Sequence, residues 1–101
     1  MHSPDLHVIA NALMAHIRGI DNRTRFSLTP KTFLDDGDGY LLTVYYRRRF
    51  CDTVYDTAYE IRISYNSIVI YYGIRTENVF YANPKFLDDI TTHHQRITAS
   101  F

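Results

Sequence analysis

"YLLTVYYRRRF", Tyr40 to Phe50, is the stretch on which the fold turns. Apolar and polar side chains alternate along it with period two, the pattern of a strand buried on one face. Leu42, Val44 and Tyr46 share one side; Thr43, Tyr45, Arg47 and Arg49 share the other. Arg48 falls in the apolar row, where its stem must snorkel or escape at the strand end. The stretch therefore predicts a sheet with one face in a core and the other carrying tyrosine and arginine.

The same period extends on both sides. From Arg23, Phe26 and Leu28 alternate with Arg25 and Ser27, and Pro30 marks an edge strand or a bulge because it cannot donate to a ladder. "DDGDG", Asp35 to Gly39, is turn chemistry. Downstream, "CDTVYD" reads as a loop or loose turn. Tyr55, Tyr59, Ile61 and Ile63 then alternate with Asp56, Ala58, Glu60, Arg62 and Ser64. "YNS", Tyr65 to Ser67, reverses the chain. Ile68, Ile70, Tyr72 and Ile74 complete the inner face, with Val69, Tyr71, Gly73 and Arg75 outside.

Helical signals flank these strands. Ser3, Pro4 and Asp5 read as N-cap, first helical residue and first-turn acid, and Gly19 reads as the stop after Arg18. Leu6, Ile9, Leu13, Ile17 and Ile20 recur at three and four residues as one apolar stripe. Asn83 and Pro84 repeat the start signal before Phe86 or Leu87, Ile90, His94 and Ile97. The expected architecture is α+β: one domain over residues 1–101, built as helix, four-stranded antiparallel meander, helix. Both helices cover one face of the sheet, since that buries both stripes at once.

A chain of 101 residues holds one core, and 46% apolar residues suffice to fill it. Eleven basic residues balance eleven acidic ones, so no global field draws the protein to nucleic acid or membrane. Cys51 is the single cysteine, which excludes an internal disulfide and favours a reducing cytoplasm. "MHSPDLHVIANALMAHIRGI" is interrupted by His7, Asn11 and His16 and reads as neither signal peptide nor membrane span.

Chemical motifs are sparse. Asp89 and His93 sit four apart beside His94, but a metal needs three or four converging ligands and no paired motif such as H-E-x-x-H appears, so neither metal nor cofactor is expected. Counted from Asp36, a calcium loop fails at its fifth position, Tyr40, and at its twelfth, Arg47. Cys51 follows Arg48, Arg49 and Phe50, where positive charge favours a thiolate, yet no base is placed beside it by spacing.

What remains is the face opposite the helices. Tyr45, Arg47, Arg49, Arg62, Tyr71 and Arg75 are its partner-binding candidates, with Glu60 beside Arg62 and Arg25 on the edge strand. Tyrosine and arginine dominate protein-contact hot spots. The expected function is therefore non-enzymatic: a small inhibitor, immunity protein or phage-type regulator, such as an anti-defence protein, that binds another protein. The alternative is a single-stranded nucleic-acid binder, with rings stacking on bases and guanidinium groups on phosphates. That chemistry resembles RNA-recognition-motif sheets, although the helix-first order and missing glycine–aromatic signature depart from that family. An isologous dimer through the same face is a further expectation. A histidine-dependent enzyme ranks last.

Overall fold

The computed structural model describes the backbone at residues 5–35, 37–50, 53–65, 67–72, 75–79 and 86–98. Side chains are described at 5–35, 37–45, 59–65, 67–71 and 87–96. The chain forms α1 (Leu6–Ile20), β1 (Thr24–Phe33), β2 (Gly37–Phe50), β3 (Thr53–Ile63), β4 (Ile68–Tyr72), β5 (Arg75–Val79) and α2 (Phe86–Thr98). The strands lie in the order β1-β2-β3-β4-β5, each antiparallel to the next. The expected helix, antiparallel meander and helix are present, with β5 added beyond the four expected strands.

Leu6, Ala10, Leu13 and Ile17 form the buried stripe of α1. Ala10 occupies the fully buried position, while Ile9 packs only partly against the core. The N-cap is Asp5 rather than Ser3: its Oδ1 accepts the His7 N–H at 2.9 Å, and its carbonyl accepts from Val8 at 3.0 Å. Ser3 and Pro4 lie outside the described residues. The helix also runs through Gly19 and is closed by Asp21, whose N–H donates to the Ile17 carbonyl at 3.0 Å. One interior glycine costs only about 1 kcal/mol against alanine, too little to end a helix whose stripe continues.

β1 ends at Phe33, Leu34 and Asp35 form a turn, and β2 begins at Gly37, whose φ of 74° is left-handed backbone. Three of the five residues of the "DDGDG" stretch, Gly37 to Gly39, are therefore strand. Gly39 is required for a different reason: a Cβ there would meet the Ile63 carbonyl oxygen and lie 2.8 Å from Phe33 Cε2. Pro30 sits on the edge strand, as expected. The β1–β2 pairing continues on both sides of it, from Thr29↔Leu41 to Lys31↔Gly39, so its nitrogen faces the open edge.

Pairing fixes which residues share a face. Phe26↔Val44↔Tyr59 and Leu28↔Leu42↔Ile61↔Ile70 run across the sheet as continuous rows. Leu42, Val44, Tyr59, Ile61, Ile63, Ile68 and Ile70 are buried in one cluster with the α1 stripe and Ile90 of α2. Both helices therefore cover this one face. Burial of each such aliphatic side chain stabilises by roughly 1.5–3 kcal/mol. Tyr46 and Tyr72, expected inward, have side chains outside the described residues, as does Ile97; Ile74 lies outside entirely.

Two expectations need correction. Thr53 to Asp56 belong to β3 rather than to a loop, since Phe50↔Thr53 and Arg47↔Asp56 are already paired. Arg75 does not continue β4. That strand ends at Tyr72, and Arg75 opens β5 in register with Tyr72, itself aligned with Ile68 and Ile70 rather than with Tyr71. Cross-strand partners share a face, so the register removes Arg75 from the row containing Tyr71.

Candidate binding face

Three rows cross the sheet on the side away from the helices: Arg25–Tyr45–Ala58, Ser27–Thr43–Glu60–Tyr71 and Thr29–Leu41–Arg62–Val69. Alternation places them there because their neighbours Phe26, Val44, Tyr59, Ile61 and Ile70 are committed to the core. Arg25, Ser27, Thr29 and Glu60 are exposed, whereas Leu41, Thr43, Tyr45, Arg62 and Tyr71 are half-buried. Val69, expected to be outside, is only 5% exposed. Among the described residues no helix lies over this side, since both helices bury their apolar stripes in the other.

Phe33 and Leu41 were not singled out from sequence, yet both shape the surface. The Arg62 guanidinium stands 5.0 Å from the Phe33 ring centroid, a cation–π contact that holds it against the sheet. Phe33 reaches this position because Gly39 has no side chain to exclude it. Of the six sequence candidates, Tyr45, Arg62 and Tyr71 therefore lie together on this face. The backbone of Arg47 and Arg49 continues β2 opposite Asp56 and Val54, and their side chains lie outside the described residues. Arg75 has moved to another row.

The histidines disperse. His7 Nδ1 accepts from Asn11 Nδ2 at 3.3 Å, and His93 Nδ1 accepts from Arg96 Nη2 at 2.9 Å. His16 Nε2 lies 2.6 Å from Thr91 Oγ1, which donates to the Leu87 carbonyl at 3.1 Å. Thr91 therefore accepts from His16, and this contact ties α1 to α2. His94 is 1% exposed, with the Tyr59 hydroxyl 2.5 Å from its Nδ1. Burial pushes its imidazole below the ordinary histidine value, and the nearby Asp21 carboxylate opposes that shift. Among the described residues no three histidine, cysteine, aspartate or glutamate side chains converge on a metal-sized site. Cys51 and His2 lie outside the described residues.

A cleft of about 460 Å³ opens between the start of α1 and the β1–β2 hairpin. Its lining includes Asp5, Lys31, Asp38, Tyr40 and Tyr65.

No family model matches the chain, and no curated protein or solved structure matches it. Among the described residues, no helix is long and apolar enough to cross a membrane.

Proposed function

We propose that this is a non-enzymatic regulatory protein that binds another protein through the sheet face built around Tyr45, Arg62 and Tyr71. The observation that carries the reading is the make-up of that face. Leu41 and Tyr45 of β2 and Tyr71 of β4 supply a half-buried apolar and aromatic centre on either side of β3, with no described helix over it. Such centres, rimmed by polar groups, are where contact energy concentrates. Arg25, Lys31 and Arg62 outnumber Glu60 on this face, so the complementary partner carries an apolar centre with an acidic rim. Inhibitors, immunity proteins and phage-type anti-defence regulators act in this way, and a cytoplasmic setting suits the single cysteine.

The test is capture of partners from the native host with and without nuclease, using wild-type protein and Tyr71→Ala in parallel. The reading expects a protein partner that survives nuclease, is lost with Tyr71→Ala, and is lost without a change in melting. Capture that vanishes with nuclease favours single-stranded nucleic acid on the same rings. Capture indifferent to both treatments contradicts this face as the binding surface.

A further inference from the structure

β1 is the outer strand of the sheet, and among the described residues nothing pairs with its far side. Consecutive residues of an antiparallel strand turn their N–H and C=O groups toward opposite edges. Two observations fix which residues of β1 point outward. Thr24 gives its N–H to the Asp21 carbonyl at 3.2 Å. Pro30 has no N–H, yet the pairing with β2 runs unbroken from Thr29↔Leu41 to Lys31↔Gly39. The even-numbered residues therefore face the open edge, and Phe26 and Leu28 each present a donor and an acceptor there.

Side chains make this edge selective. Phe26 and Leu28 belong to the core face but are only half-buried, with the Arg18 guanidinium 5.1 Å from the Phe26 ring centroid. On the other face Arg25, Ser27, Thr29 and Lys31 are exposed. β1 carries no acidic residue, and Asp21, just before it, is engaged by Arg23 at 3.0 Å.

A second copy of β1 is a poor guest for this edge. Antiparallel self-pairing centred on Leu28 sets Arg25 opposite Lys31, and sets Pro30 opposite Phe26, whose carbonyl then meets no donor. Centred on Ser27, it sets Arg23 opposite Lys31. Centred on Phe26, it sets Leu28 opposite Thr24, whose N–H is already bonded to Asp21.

We propose that the open edge of β1 takes an extended segment of a partner protein as a further antiparallel strand, and selects a segment in which apolar and acidic residues alternate. Directly opposed residues share a face. Apolar guest residues thus stand opposite Phe26 and Leu28 and complete their burial, while acidic ones stand along the row of Arg25 and Lys31. Main-chain bonds to Phe26 and Leu28 supply the affinity, and the charge row supplies the selection. This site goes beyond the Tyr45–Tyr71 face, with which it shares Arg25 and Lys31.

The experiment is an amide NMR titration with a blocked peptide of alternating valine and glutamate, long enough to span Thr24 to Pro30. Up to about 1 mM peptide should shift the Phe26 and Leu28 amides more than those of Arg25, Ser27 and Thr29, which already serve the ladder with β2. N-methylation of the valines removes the guest donors that face β1 and should abolish binding, whereas N-methylation of the glutamates should not. Arg25→Glu should weaken binding by roughly tenfold with unchanged melting, and admit a valine–lysine peptide instead. Tyr71→Ala should leave peptide binding intact, which separates this edge from the sheet face. The proposal is overturned by the absence of shifts at about 1 mM peptide. Equal binding of the valine–lysine peptide to the wild-type protein, or binding that survives methylation of the valines, would overturn it as well. So would shifts centred on Arg75 to Val79, because β5 is the opposite edge of the sheet.

Discussion

Tyr59 and His94 meet inside the core at 2.5 Å, hydroxyl oxygen to Nδ1, although 35 residues separate them in the chain. Their rings also stand edge to face, with centroids 5.7 Å apart. One contact thus fastens α2 to the third strand of the sheet. Both groups are buried, and the imidazole accepts only while neutral at Nδ1.

Removal of the hydroxyl tests this fastening. Tyr59→Phe removes the hydroxyl partner of a buried imidazole nitrogen, which should cost roughly 1–3 kcal/mol in a denaturant melt. A loss below about 0.3 kcal/mol would mean that the bond contributes nothing net.

Acid should loosen the same contact. Burial lowers the folded-state value of His94 below 6.5, so between those two values the unfolded chain holds a proton that the folded chain excludes. Stability then rises with pH across that window and is lost as pH falls below about 6.5. The His94 ring signal in an NMR titration should show its midpoint below 6.5. A midpoint above it would reverse the sign and contradict the buried neutral imidazole.

A second acid limb belongs to Asp21. Hydrogen bonds from the Arg23 guanidinium and backbone N–H lower its carboxyl from 3.8 to about 2. Its contribution is complete above 3.8 and is lost as pH falls through about 2. The Arg23 side chain is 80% exposed, so solvent screening keeps this contribution small. Arg23→Ala should return the Asp21 carboxyl titration toward 3.8 with little change in melting.

Two substitutions probe the packing from opposite directions. Ile61→Ala empties a fully buried position and should cost roughly 2–5 kcal/mol. Gly39→Ala adds a single carbon where the Ile63 carbonyl and the Phe33 ring leave no room, and should cost roughly 1–3 kcal/mol. A neutral Gly39→Ala melt would show that Phe33 does not close over β2.

The legible parts of the sequence were those where burial imposes a period. Leu42 and Val44, Tyr59, Ile61 and Ile63, and Ile68 and Ile70 announced both their strands and their shared face. β5 escaped notice because "RTENV" has no apolar alternation; as an edge strand it is recruited by the open ladder of β4. The same omission displaced Arg75, since a β4 continued past Tyr72 keeps alternation where the chain instead reverses. The cap moved from Ser3 to Asp5 because both residue types cap helices equally well. His94 was expected inward from its spacing to Ile90, but its bond to Tyr59 depends on tertiary packing. On the candidate face the tyrosines and Arg62 were visible as types, whereas the seating of Arg62 on Phe33 depends on a glycine two strand positions beyond the turn.

The sheet face is tested most directly by amide NMR mapping with the captured protein partner. Shift and cross-saturation effects should concentrate on Leu41, Thr43, Tyr45, Arg62 and Tyr71, and leave the exposed Val8 and Asn11 of α1 unaffected. Effects centred on α1, with the Tyr45 and Tyr71 strands silent, would contradict the account and move the partner to the helical side of the molecule.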